Sequence, residues 1–228
     1  RDRIAFMRVV SGRFDADREV YHVQGGKKIK LSRPQQLMAA EREIIEEAYA
    51  GDIIGVFDPG IFSIGDTLCA PGKKFRFDPI PTFAPEHFRR VRPLDTMKRK
   101  QFLKGMEQIA QEGAIQIFKT PYTGMEEVIV GVVGTLQFDV LEYRLKNEYG
   151  VELYMEGLPY EYLRWIENDT GEPIKEEQLI LGTDVKLVED YKGNQLLLFA
   201  SQWSIHWVQD KNKDLTLTEF GGARDSQG

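Results

Sequence analysis

The chain has 228 residues, of which 42% are hydrophobic and 29% charged, and its formal net charge is −6. That composition supports a packed core in one or two domains and excludes a disordered or low-complexity chain. One cysteine, Cys69, excludes an intrachain disulfide and a zinc site built on cysteine pairs, and no apolar run is long enough to span a membrane. A reducing, cytoplasmic compartment is the expectation. The acidic balance argues against nucleic-acid binding through overall charge, but it allows a local basic patch. The chain opens at Arg1 and enters a strand-like run at once. Part of the working protein is therefore expected to lie outside it.

The first third reads as short strands. Ile4–Val10 is apolar and β-branched, and Ser11-Gly12 breaks it. Arg18–Gln24 and Lys27–Leu31 alternate about Gly25-Gly26, a hairpin signal that leaves Lys28 and Lys30 on the wet face. Gln36–Met38 is a weaker strand, Glu41–Glu47 an acidic stretch, and Ile53–Phe57 a strand after the Gly51-Asp52 turn. Ile64 and Thr67–Cys69 close the set. Many short strands between regular turns predict a small β-barrel over residues 1–76.

Beyond residue 76 the period changes, and residues 77–228 form a second predicted domain. Glu86–Val91 is extended. Met97–Glu112 places Phe102, Leu103, Met106, Ile109 and Ala110 at helical spacing, and Gly113 ends the run. Ala114–Lys119 and Glu127–Val133 are strands. Leu136–Tyr149 is a helix whose stripe is Leu136, Val140, Leu141, Leu145 and Tyr149, closed by Gly150, and Val151–Met155 is a strand. The order β-α-β-β-α-β predicts a ferredoxin-like domain, with two helices on one face of an antiparallel sheet. Strands at Tyr160–Ile166, Val185–Glu189 and Gln195–Phe199 and a helix near Trp203–Val208 make residues 160–220 a C-terminal extension. The polar Gly221–Gly228 tail is expected to be flexible.

No catalytic constellation emerges. Gly60–Thr67 nearly fits a phosphate loop, but Asp66 stands where a lysine must meet phosphate charge. His22, His87 and His206 are scattered, without metal-ligand spacing. Cys69 has no nearby histidine or second cysteine. The informative charge feature is the run from Glu86 to Lys104, with Arg89, Arg90, Arg92, Lys98, Arg99, Lys100 and Lys104 against Glu86 and Asp95 alone. Guanidinium forks suit phosphate, so these residues, with Lys27 and Lys28 at the first hairpin, are the candidate RNA contacts. The plainer reading is a solvated helix start plus ion pairs with the Glu41–Glu47 segment. Tyr160, Tyr162, Trp165, Trp203 and Trp207 could stack on bases, but packing under the extension explains them as well.

The segments Phe6–Gly12, Ala50–Val56 and Gly65–Leu68 together resemble the second, β-barrel domain of ribosomal translation GTPases. Gly131–Leu141, leading into Tyr143-Arg144-Leu145, resembles the domain that follows the barrel in the elongation factor G branch. Its Leu136-Gln137-Phe138-Asp139-Val140 form, with Ala84–Arg92, Lys104-Gly105-Met106 and Glu112–Gln116, resembles the bacterial class II peptide chain release factors. The resemblance covers residues 1–166 well and the rest more weakly.

Such a resemblance implies a ribosome-dependent GTPase that promotes dissociation of class I release factors after peptide release. It implies GTP or GDP with magnesium on a GTP-binding domain this chain does not contain, since no position here matches that domain's motifs. The partners implied are 16S rRNA, ribosomal protein S12, the GTPase domain in cis and, through the ribosome, class I release factors. No membrane contact is implied. An apolar or mixed patch is expected on the barrel near Arg1–Arg3 or Ile61–Ile64, where a GTPase domain would pack. Two alternatives stand beside this. One is a free-standing ferredoxin-like regulatory module, which requires a closed apolar ligand pocket. The other is a fragment of another elongation-factor-G-like GTPase.

Overall fold

A computed structural model describes residues 3–31, 34–38, 41–73, 75–78, 80, 83–120, 128–168 and 170–219, with backbone alone at 35–38 and 41–43. The chain divides into two units, Arg1–Ile80 and Pro81–Gly228, a division that falls just beyond the expected position near residue 76. The expected flexible tail, Gly221–Gly228, lies outside the described residues.

Among its described residues the first unit holds nine short strands: β1 (Arg3–Arg8), β2 (Arg13–Asp15), β3 (Glu19–His22), β4 (Lys27–Lys30), β5 (Gln35–Met38), β6 (Glu41–Ile44), β7 (Glu47–Tyr49), β8 (Ile53–Asp58) and β9 (Leu68–Cys69). They form sheets of order β1-β8-β5-β6 and β4-β3-β9 and a β2-β7 pair around Leu31, Ala48, Ile54, Val56 and Phe62. The acidic stretch is thus two strands, β6 and β7. The Gly25-Gly26 hairpin exists, but its loop is four residues, because β3 ends at His22 and pairs it with Lys27. The Val23 N–H turns away to the Thr67 carbonyl at 3.0 Å. On the outer face of β1 and β8, Phe6, Ile53 and Phe57 are exposed, as are Ile61 and Ile64 in the following loop. Exposed apolar side chains are thus present both in the expected Ile61–Ile64 loop and on a face of β1 and β8. Of the Arg1–Arg3 segment only Arg3 is described, and it pairs with buried Asp58 at 3.2 Å.

The second unit holds β10 (His87–Pro93), α1 (Arg99–Gln111), β11 (Gln116–Lys119), β12 (Val128–Val132), α2 (Leu136–Tyr149), β13 (Leu153–Leu158), β14 (Tyr162–Glu167), β15 (Val185–Asp190), β16 (Gln195–Phe199), α3 (Gln202–Lys211) and β17 (Thr216–Thr218). The first four strands lie in the order β13-β10-β12-β11, all antiparallel. That is the ferredoxin-like arrangement. The C-terminal strands continue the same sheet, because β15 pairs with β11 through Phe118↔Asp190 and Lys119↔Glu189. Among the described residues a single sheet of eight strands results, β13-β10-β12-β11-β15-β16-β14-β17.

Strand alternation assigns every core side chain to a face. Val91, Ile117, Val128, Val130 and Leu153 meet Phe102, Met106 and Ile109 of α1 and Phe138, Leu141 and Leu145 of α2. Leu187, Leu197 and Phe199, on the same sheet face further along, meet Ile205 and Val208 of α3. The opposite face carries Phe88, Phe118, Ile129, Leu163, Val188, Leu196 and Leu198, each at most 2% exposed, yet none of the three helices covers it. These side chains are dry because the sheet curls around them.

Chain geometry requires that curl. Three residues, 159–161, connect β13 to β14, which lies six places away in the sheet. In a flat sheet six places are about 29 Å, whereas the four Cα steps from Leu158 to Tyr162 span at most about 14 Å. Gly131 of β12 is tightly enclosed by its neighbours: a Cβ there would lie 2.8 Å from Pro85 Cβ and 2.9 Å from Phe118 Cε2. Gly131→Ala is expected to destabilise the chain by about 1–3 kcal/mol, read as a lower urea midpoint; an unchanged midpoint would refute this close approach.

Candidate nucleic-acid interface

β10 displays its three arginines on alternate faces, and each has a local role. Arg89 shares a face with Val91, and its guanidinium lies 4.3 Å from the centre of the Phe138 ring of α2. Arg90 and Arg92 point the other way, opposite Glu156 and Tyr154 of β13. Arg90 pairs with Glu156 at 3.0 Å, and Arg92 stacks over Tyr154 at 4.5 Å. These are cross-strand pairs of the kind that stabilise a sheet. Arg90 thus pairs within its own sheet, and in the first unit Glu47 lies 3.9 Å from Arg13.

After β10 the Asp95 carboxylate accepts the Met97 N–H at 2.9 Å and starts a 3-10 turn, Thr96–Lys98, that feeds α1. Lys98 reaches across to donate to the Gly150 carbonyl at 2.6 Å. Gly150 is the left-handed residue that ends α2 (φ 67°), so this ammonium sits at the negative end of a helix. Arg99, Lys100 and Lys104 differ. All three are exposed and have no carboxylate partner among the described residues. Arg99 and Lys100 occupy the first turn of α1, which contains no acidic residue. Cations there add to the positive end of the helix dipole, an arrangement that favours an external anion. Met97 beside them is 89% exposed.

In the first unit Lys27 and Lys28 are exposed at the start of β4 and also lack an ion pair among the described residues. The near-phosphate loop cannot take a phosphate. The N–H groups of Gly60, Ile61 and Phe62 already donate to the Asp58 carboxylate at 2.8, 2.9 and 3.3 Å. Asp66 accepts the Ser63 N–H at 2.9 Å and lies 2.7 Å from His22 Nε2. The amides and the carboxylate position are thus satisfied internally, so GTP has no fit on this loop. Among the described residues no group of three or more histidine, cysteine or acidic side chains could hold a metal ion.

The candidate contacts therefore separate. Arg89, Arg90, Arg92 and Lys98 hold the fold, while Lys27, Lys28, Arg99 and Lys100, joined by Lys104, present unneutralised charge. Sequence reasoning missed Arg144, which joins Glu112 just beyond α1 at 2.5 Å to Glu148 of α2 at 3.1 Å. The hydrogen bonds that Arg144 donates to Glu112 and then to Glu148 raise its already high pKa. An i,i+4 pairing with Glu148 was visible in the sequence, but the partner across the helix pair was not. A cleft of about 640 Å³ opens between residues 84–89 and 157–164, lined by Glu86, His87, Arg89, Glu161 and Arg164 as well as Phe88, Leu158 and Tyr160. It is not the closed apolar pocket that a small-molecule regulatory module requires.

Lys98→Met is expected to lower the melting temperature by about 1–3 °C while leaving the salt dependence of any RNA binding unchanged. A changed salt dependence would mean that Lys98 contacts phosphate after all.

Comparison with known proteins matches residues 77–209 to the family model described as class II release factor RF3, C-terminal domain, and residues 1–71 to elongation factor G domain 2. Peptide chain release factor 3 of Symbiobacterium thermophilum is 51% identical over 224 residues, covering 98% of this chain and 42% of that protein. Those of Gloeobacter violaceus and Streptococcus mutans are 43% and 44% identical over 220 residues, covering 96% of this chain and 41% of each protein. The chain thus spans about two fifths of the length of these relatives. A crystal structure of a Thermus thermophilus protein shares the fold, with a TM-score of 0.57 at 18% identity over 74% of this chain and 27% of that one. A translation-factor β-barrel followed by an α/β unit is the fold class on which sequence, architecture and relatives agree. The chain belongs to the class II peptide chain release factor (release factor 3) family.

Proposed function

We propose that this chain is the ribosome-seating part of a GTP-dependent translation termination factor that promotes dissociation of class I release factors after peptide release. The observation that carries the reading is the set of exposed cations Arg99 and Lys100, in the first turn of α1, and Lys104, one turn on, which have no carboxylate partner among the described residues. They sit on a release-factor fold in whose described residues no group of three or more histidine, cysteine or acidic side chains could hold a metal ion. An acidic protein that keeps bare cations on one helix end has a surface suited to phosphate. The contacts proposed are with 16S rRNA through Arg99 and Lys100, supplemented by Lys27 and Lys28 on the barrel, and with ribosomal protein S12. GTP and magnesium belong to residues outside this chain, and hydrolysis takes place there. A cytoplasmic location follows from that role, and no helix of the described residues is long and apolar enough to cross a membrane.

The test is co-sedimentation with 70S ribosomes across a salt series. Arg99→Gln with Lys100→Gln is expected to weaken binding and to reduce the log–log salt slope by about 1–2. An unchanged slope would show that these cations do not meet phosphate.

A further inference from the structure

The period of α2 leaves two apolar stripes, and the fold uses one. Phe138, Leu141 and Leu145 are buried against the sheet and α1. Leu136, Val140 and Tyr143, spaced i, i+4 and i+7, face solvent and are 71%, 46% and 69% exposed. The sequence pattern placed Leu136 and Val140 in the core, and the structure turns both outward. Three apolar side chains aligned on a solvent face form a docking stripe in the sense of a helix laid against a groove.

The charges around this stripe identify what it can take. Asp139 and Glu142 flank it, both exposed and without an ion pair among the described residues. On the other flank Arg144 is held between Glu112 and Glu148, one cation against two carboxylates. Lys146 is matched by Glu152 at 3.1 Å. The described side chains flanking the stripe are predominantly acidic, opposite in sign to those at the first turn of α1. A phosphate backbone would be repelled here, whereas a basic protein surface would be attracted.

We propose that the Leu136–Val140–Tyr143 face of α2 docks a basic protein surface carrying an apolar anchor, separately from the phosphate-facing end of α1. This rests on the reading that the chain seats on the ribosome, and it assigns α2 to protein and α1 to RNA.

The experiment measures binding of the whole chain to 70S ribosomes, together with photo-crosslinking from a benzophenone side chain at position 143. Leu136→Ser with Tyr143→Ser is expected to weaken binding at least fivefold at an unchanged salt slope and an unchanged melting temperature, since both side chains are solvent-facing. Asp139→Lys with Glu142→Lys is expected to weaken it too, and the crosslink is expected on a basic ribosomal protein. Tighter binding by the lysine variant, a crosslink to rRNA or to a second copy of the chain, or full affinity in the serine variant would overturn the proposal while leaving ribosome seating intact. Failure of the unsubstituted chain to sediment with ribosomes would overturn both.

Discussion

The three-residue connection between β13 and β14 is the constraint on which the second unit depends. It joins strands six places apart in one sheet, so the sheet must curl, and the curl gives Phe88, Phe118, Ile129, Leu163, Val188, Leu196 and Leu198 a common dry interior. With one face sealed by its own curvature, the sheet has only the other to cover, and α1, α2 and α3 all pack there. At roughly 1.5–3 kcal/mol for each large apolar side chain removed from water, this interior is a main source of the unit's stability. The C-terminal strands are consequently structural partners of the split β-α-β core, since β14, β15 and β16 supply four of those seven side chains.

That architecture fixes what the helices can do. α1 and α2 are held rigidly by the sheet beneath them and by the Glu112–Arg144–Glu148 bridge between them. The Arg99–Lys100 start of α1 and the Leu136–Val140–Tyr143 face of α2 are exposed. Two chemistries result on adjacent elements: a cationic first turn on α1, and an apolar stripe with acidic flanks on α2. The arginines of β10, by contrast, are used up in cross-strand and stacking contacts, so the densest part of the basic run contributes least bare charge.

Much of this was legible in the sequence, for identifiable reasons. Helix α1 carried one clear apolar stripe, and Phe102, Met106 and Ile109 are buried as that stripe required. The βαββαβ order was readable because each element is local. The attachment of β15 to β11 was not, since strand pairing between residues near 118 and 190 leaves no local mark. Helix α2 misled in part because apolar residues lie on both sides of it, and periodicity alone does not choose between Phe138 and Leu136. The β3–β4 loop was misjudged because the Val23 amide is claimed by Thr67, a contact made far along the chain. In the site, the charge run was visible, but the use of Arg90 by Glu156 and of Lys98 by the Gly150 carbonyl arises only in three dimensions.

The most direct test of this account is hydroxyl-radical footprinting of the chain free and bound to 70S ribosomes. It offers three well-exposed reporters: Met97 before α1, Tyr143 on α2 and Trp203 on α3. The account predicts that ribosome binding suppresses oxidation of Met97 and Tyr143 and leaves Trp203 as reactive as in the free chain. Protection of Trp203, with Met97 and Tyr143 still reactive, would contradict it and move the working surface to the C-terminal part of the sheet.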